Sequence, residues 1–437
     1  MRLIITSVFA FLFAISLQTA DGAKVFDVRQ YGAKGDGKTT DTEAIQKALD
    51  ECGQAGGGTV EFTPGTYLSQ PITIRTKTTV LLDAGATLLA CTNQSDFMKT
   101  PGDWLKAKSS GDFIPFIAGK DLTDVTLTGK GTIDGNGAAW WEEAEKARQK
   151  VSGFTLPRPN LIMLTRCKNV RLENLTVQNS PKFHFVPTEC EGVVVSNVTI
   201  LAPERAANTD AIDPASCKDV LITKCHIDVG DDNIAIKAGK KLAEREFASE
   251  NIAVTDCTFL HGHGVSIGSE TAGGVSNLTV RNCTFENTEN GLRIKSQRGK
   301  GGIVENINYS DITMKNVNPA ITLTCYYMNN SAGDKTRSAA GAGTNSTPAV
   351  ASDTPVYRNI HISNLKATCP GMAGIINGLP ESMISNVVFE NVQISAAKSF
   401  EIRNARDIQL KNVTVSVKEG PPFSTENAQV EGLTEKH

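Results

Sequence analysis

The sequence predicts an all-β chain, a single-stranded parallel β-helix closed at its N-terminal end by a capping helix, and three observations predict it. A nine-residue pattern recurs from Asn169 onward: Asn or Asp, apolar, any, apolar, any, Asn or Asp, apolar or Cys, any, apolar. Copies begin at Asn169, Gly192, Asp219, Asn251, Asn277, Asn306, Asn359, Asn386 and Asp407, spaced 21 to 32 residues apart except for one interval of 53. Each copy holds short alternating strands joined by an Asn/Asp/Gly turn, and no helical period appears between copies. A unit this short cannot bury its own apolar face. Stacked units can, through parallel strands about 4.8 Å apart and a shared Val/Ile/Leu core.

The elements follow in chain order. Met1-Arg2, an uncharged apolar run from Leu3 to Leu17 and the small residues Thr19 to Ala23 read as a secretory signal peptide over residues 1–23. The apolar run is too short for a membrane anchor, so a secreted chain that spans no membrane is expected. Thr40 with Glu43 three residues later predicts a capping box, and Ile45, Ala48, Leu49 and Cys52 one apolar helix face ended by Gly53. That helix would cover strand edges otherwise left open. Val60 to Phe62, Thr73 to Leu82 and Asp124 to Ile133 read as the first coils. The interval of 53 holds a Gly/Ala/Ser/Thr-rich excursion, Asn329 to Thr354. The β-helix is expected over 24–418, with a polar, loose tail over 419–437 that begins near Pro421-Pro422.

Length alone, 437 residues, would suggest two or three domains; the repeat replaces these with one elongated stack. Forty-four basic against 47 acidic residues, net charge −3, excludes a basic nucleic-acid binder and an acidic disordered chain. Asn174, Asn197, Asn282 and Asn412 sit in Asn-X-Thr sequons, yet each is the sixth residue of its repeat, where Asn tolerates the left-handed conformation and can stack. Cys225, Cys257 and Cys283 share position seven, and Cys167, Cys190 and Cys217 each precede a repeat by two residues. Side chains in register point the same way, which disfavours bridging and predicts buried free thiols.

Four second strands break the apolar pattern: Asn208-Thr209-Asp210-Ala211-Ile212, Gly230-Asp231-Asp232-Asn233-Ile234, Gly262-His263-Gly264-Val265 and Asn290-Gly291-Leu292-Arg293-Ile294-Lys295. Aligned on Ile212, Ile234, Val265 and Leu292, they put Asp210, Asp232, His263 and Asn290 at one position on consecutive coils. Arg293 and Lys295 then face outward together, about 6.6 Å apart. Three carboxylates this close cannot all ionise freely, and one with a raised pKa can remain a proton donor. An acid for a leaving oxygen and a base for water are what glycosidic hydrolysis needs.

Asn-Thr-Asp, Gly-Asp-Asp, Gly-His-Gly and Arg-Ile-Lys, in this order, resemble the four motifs of the polygalacturonase family, glycoside hydrolase family 28. The stretch Asp256 to Ser269 resembles that family's signature around its histidine, and Phe26 to Thr40 is similar to the N-terminal segment of many pectin-acting β-helices. Ala211 stands where the family usually has Gly. The resemblance implies a right-handed, pectin-lyase-like solenoid and an inverting hydrolase of pectic polysaccharide, monomeric, with no cofactor or metal. It implies that Asp231 is the general acid, and that Asp210 and Asp232 hold and deprotonate the water. His263 would keep the acid protonated, Arg293 and Lys295 would bind a galacturonate carboxylate, Asn208 would orient the site, and Tyr326 or Tyr327 would stack on substrate.

A net charge of −3 gives no global attraction for a polyanion, so Lys237, Arg293, Lys295, Arg298 and Lys300 are expected to supply a local basic cleft. The rivals are a calcium-dependent pectate lyase on the same fold, a hydrolase of a rhamnogalacturonan backbone and a non-enzymatic β-helix adhesin. The converging carboxylates count against the last. Ser95 to Phe116 and Asn329 to Thr354 are long enough to block a cleft, which favours exo action.

Overall fold

The structure is a computed structural model and describes residues 24–150, 156–239, 247–327 and 348–433. The expected signal peptide and most of the 329–354 excursion lie outside the described residues. Nearly all described strands join one parallel array, accompanied by a four-strand sheet built from Ile72–Thr73, Ile117–Lys120, Ile162–Thr165 and Phe185–Thr188. Each strand pairs with its equivalent one coil before and after, as Val193 does with Val170 and Val220. The result is a parallel β-helix.

The repeat's two Asn/Asp positions explain the turns. Asn169, Asp219, Asn251, Asn277, Asn306, Asn359 and Asn386 all adopt φ between 53° and 58°, where Asn and Asp are tolerated and most residues are strained. Their side chains stack as an amide ladder: Asn277 donates to Asn251 at 3.1 Å, Asn306 to Asn277 at 3.3 Å, Asn359 to Asn306 at 3.2 Å and Asn386 to Asn359 at 2.8 Å. The sequon asparagines form a second ladder, Asn197 donating to Asn174 and Asn412 to Asn391. Inside, Val170, Val193, Leu172, Val195, Ile222 and Val254 are fully buried. Each such side chain contributes about 1.5–3 kcal/mol relative to exposure.

All ten cysteines are buried free thiols, as the register requires. The Cys190 sulfur accepts from the Cys167 backbone N–H at 3.3 Å, and that of Cys257 from Cys225 at 3.4 Å.

The capping helix α1 spans Thr42–Gln54 and buries Ile45, Ala48, Leu49 and Cys52. The expected capping box is absent, because Thr40 ends the strand Asp36–Thr40. Asp41 precedes the helix, but its carboxylate accepts from the Lys34 and Gly35 backbone N–H groups and holds the preceding loop.

A second helix, α2 (Ala138–Lys150), was not anticipated, although its Ala/Glu/Lys-rich sequence is helix-forming. Its Trp140 packs edge-on against Phe97, Trp104 and Phe113 at 5.0 to 5.8 Å. That aromatic cluster folds the Ser95–Phe116 excursion down onto the coils. The tail is also ordered further than expected: Phe423–Glu431 adds a strand to the stack because Phe423 packs on Phe400 and Val430 on the core. Among the described residues no helix is long and apolar enough to cross a membrane.

Candidate active site

Ile212, Ile234, Val265 and Leu292 pair in register on successive coils. Two residues earlier, Asp210, Asp232, His263 and Asn290 therefore form one row, as the sequence predicts. Phe185 pairs with Ile212, so the row extends one coil further back, to Phe183. His263 is flanked by glycines for a steric reason. Gly262 and Gly264 have φ of 96° and 68°, and a Cβ at Gly264 would lie 2.2 Å from the Asn290 carbonyl oxygen.

Asp232 is the most heavily engaged residue. Arg293 Nη2 donates to its Oδ1, Lys295 Nζ to Oδ2 at 2.7 Å and Ser266 Oγ to Oδ1 at 2.9 Å. Arg293 Nε donates to the Ser266 hydroxyl at 2.8 Å, which closes the network. Burial opposes ionisation here, but the Arg293 and Lys295 charges outweigh it and hold the Asp232 carboxyl far below its usual range. Arg293 and Lys295 face out of the core together, as expected, yet they are only 8% and 5% exposed. They are turned back onto Asp232 rather than left free.

Asp231 sits beside this network. His263 Nδ1 lies 3.1 Å from its Oδ1, the Asp232 backbone N–H donates to the same oxygen, and Asn208 Nδ2 reaches Oδ2 at 3.4 Å. His263 Nε2 lies 3.0 Å from the exposed carboxylate of Glu289, which sequence reasoning missed. Burial would lower the His263 pKa, but the Asp231 and Glu289 contacts push it up to about 10. The imidazolium in turn overcomes burial at Asp231 and lowers it. These directions favour a charged imidazole on His263 facing the Asp231 carboxylate across one shared proton.

A raised histidine pKa gives stability that is complete below the unfolded value of 6.5 and is lost as pH rises through about 10. The stability gap between the wild type and His263→Gln in urea melts is expected to be widest below pH 6.5 and to close towards pH 10. A gap independent of pH would show that the imidazolium does not pair as described.

Asp210 is the carboxyl held high. Burial, Asp213 and Asp231 together push it well above its usual range, against the opposing charge of Lys237. Lys237 Nζ lies 3.6 Å from Asp210 Oδ2 but 2.5 Å from Asp213 Oδ2, and burial still pushes Asp213 up to about 6. Asp210 Oδ1 is buried with no hydrogen-bond partner among the described residues. Asp213 went unnoticed in the sequence, where its register with Ala235, Ser266 and Arg293 was the available signal.

Asn208, at φ 55°, is fixed from behind: its Oδ1 accepts from Arg158 Nη2 at 2.9 Å. Arg158 is fully buried and also donates to the carbonyls of Leu156, Pro181 and Ala207. Tyr326 packs under Arg298, whereas the Tyr327 ring lies 4.9 Å from Lys295 Nζ. Tyr327 is therefore the tyrosine beside the cations. The expected basic cleft is largely neutralised internally: Lys237 pairs with Asp213, Arg293 and Lys295 with Asp232, and Arg298 with Glu381 at 2.5 Å.

Asp231, Asp232 and His263 offer ligand atoms within 4.8 Å of one another. Calcium takes six to eight oxygens. A charged imidazole and a carboxylate already saturated by two cations suit it poorly.

Three aspartates of divergent proton affinity, a charged histidine and two cations on one face of a parallel β-helix define a carboxylate-based glycoside hydrolase. The profile of Glycosyl hydrolases family 28 matches residues 65–342, and the chain belongs to that family. It is 33% identical over 378 residues to an endo-polygalacturonase of Pectobacterium carotovorum subsp. carotovorum, an alignment covering 84% of this chain and 87% of the relative. A solved polygalacturonase from Erwinia carotovora ssp. carotovora superposes with a TM-score of 0.74 at 31% identity, covering 92% of this chain and 99% of that one. A hyperthermoactive exopolygalacturonase from Thermotoga maritima gives 0.72 at 26% identity, covering 94% and 92%.

Proposed function

We propose that the chain hydrolyses α-1,4-galacturonosyl linkages of pectin with inversion at the anomeric carbon. The observation that carries this reading is the His263–Asp231 pair set beside Asp210 and Asp232 in one register. The proton shared across 3.1 Å by His263 and Asp231 passes through Asp231 to the glycosidic oxygen as the C–O bond breaks. A water attacks the anomeric carbon from the opposite face and gives its proton to the Asp210–Asp232 side. Asp232, ionised by Arg293 and Lys295, and the unpaired Oδ1 of Asp210 are suited to orient that water. Arg293, Lys295 and Tyr327 contact the galacturonate beside the cleaved bond, and Asn208 orients Asp231. The protein acts as a secreted monomer on a pectic substrate, with residues 1–23 removed, and the hydrolase domain begins near residue 24.

Incubation with polygalacturonic acid tests this. New reducing ends, no ultraviolet-absorbing unsaturated product and indifference to a chelator are expected. Unsaturated products lost on chelation would establish the lyase instead, and no product at all would point to another pectic backbone.

Two observations bear on the mode of attack. The 33% identical Pectobacterium relative, named as an endo enzyme, supports internal cleavage. The Ser95–Phe116 excursion, clamped on α2 and reaching the catalytic row through Ser110 on Lys182, supports the end-directed attack expected from the sequence. Mixed oligomers in the first minutes establish the former; monomer alone establishes the latter.

A further inference from the structure

The cations nominated from sequence are mostly spent on carboxylates of the protein itself, which raises the question of what else meets an acidic polymer. Phe183 occupies the place in the catalytic row one coil before Asp210, and His184 N–H donates to the Asp210 carbonyl at 2.8 Å. The ammonium nitrogens of Lys182 and Lys237 each lie 4.3 Å from the Phe183 ring centroid. Lys237 is neutralised by Asp213 and Asp210. Lys182 is half-buried and donates to Ser110 Oγ at 2.9 Å, and among the described residues no ion pair engages it.

Burial first, then the Lys237 and Arg158 charges, push the Lys182 pKa down, with Asp210 and Asp213 partly offsetting them, to about 8. An ammonium short of a counter-anion, set in line with the catalytic carboxylates, is a site for an arriving carboxylate. Four coil steps, about 19 Å, separate Phe183 from Asn290 in this row. The row therefore runs past several sugars of an extended chain.

We propose that Lys182, with Phe183 and Lys237 beside it, forms a second carboxylate-binding position for a uronate of the substrate, on the flank of the catalytic aspartates opposite Arg293 and Lys295. The proposal rests on the hydrolase reading above and adds a subsite to it. A uronate carboxylate would take the charge-assisted hydrogen bond that no carboxylate among the described residues supplies. Methyl esterification of that sugar would remove it.

The test is binding of hexagalacturonate in an Asp231→Asn background, so that turnover does not intervene. Lys182→Met is expected to weaken Kd about tenfold, and Lys182→Arg to stay within about twofold. The penalty should vanish on a fully methyl-esterified hexamer. Affinity in the Lys182 protein should fall as pH rises through about 8, because the ammonium form is the binding form, and this fall should be missing in Lys182→Met and Lys182→Arg. An unchanged Kd in Lys182→Met overturns the proposal, as does an equal loss on the esterified hexamer. Ser110→Ala, which removes the loop anchor but keeps the ammonium, should bind as its parent does. If it reproduces the Lys182→Met loss instead, Lys182 merely fastens the loop. The hydrolase reading fails separately, by the absence of reducing ends from the unsubstituted enzyme.

Discussion

Asp231→Asn is expected to lower kcat on polygalacturonate by about a thousandfold or more, with the circular dichroism spectrum of the β-helix unchanged. The amide keeps an oxygen for the His263 Nδ1–H and for the Asp232 backbone N–H, so the local geometry survives. What is lost is a group that can pass a proton to the leaving oxygen. A profile of kcat against pH sharpens the result: residual activity in the variant should no longer follow the His263–Asp231 proton. Turnover within about tenfold of the wild type would move the acid elsewhere, with Asp210, the carboxyl held highest, the next residue to substitute.

Arg293→Ala is expected both to raise KM for polygalacturonate and to destabilise the fold by about 3–5 kcal/mol, the usual result of stripping one partner from a buried ion pair. Outward-facing cations that only bind a substrate carboxylate, as the sequence reads, would cost mainly affinity. The buried network of Arg293, Lys295, Ser266 and Asp232 says otherwise. The sign with pH follows from Asp232, whose folded pKa is depressed. Its stabilising pair is intact above the unfolded value of 3.8 and is lost as pH falls below it towards the lower folded value. The stability gap between the wild type and Arg293→Ala in urea melts should therefore narrow in acid. Adding Asp232→Asn should restore much of the lost stability at neutral pH without restoring activity. If the single variant melts like the wild type, Arg293 is not the counter-ion of Asp232.

The register of the site was legible because it is a consequence of the core. Once Ile212, Ile234, Val265 and Leu292 are recognised as inward residues, the polar side chains two positions earlier must align, and they do. Asn and Asp at repeat positions one and six were legible for a similar reason, since few other side chains accept positive φ. Outward side chains were harder to place. Whether Arg293 reaches for solvent or for Asp232 two coils back depends on rotamers and burial, not on spacing. Arg158 and Glu289 escaped notice because they act across coils, on Asn208 and His263, and belong to no repeat position. The capping box at Thr40 failed because strand pairing of Asp36–Thr40 with the next coil competed for the same residues. The tail looked polar, but Phe423 and Val430 suffice to seat it on the stack.

The one-residue-per-coil row has a consequence for how such a protein can change. Distances along the row come in steps of about 4.8 Å, while successive repeat copies lie 21 to 32 residues apart, and once 53, without disturbing it. The row behaves as a ruler graduated in coils. Lengthening a turn redecorates the margin and leaves the graduations alone, whereas gaining a whole coil between Phe183 and Asp210 would move the outer mark by a full step. Recognition of a longer stretch of polymer is thus open to whole-coil duplication, with Asp210, Asp231 and Asp232 remaining a fixed zero.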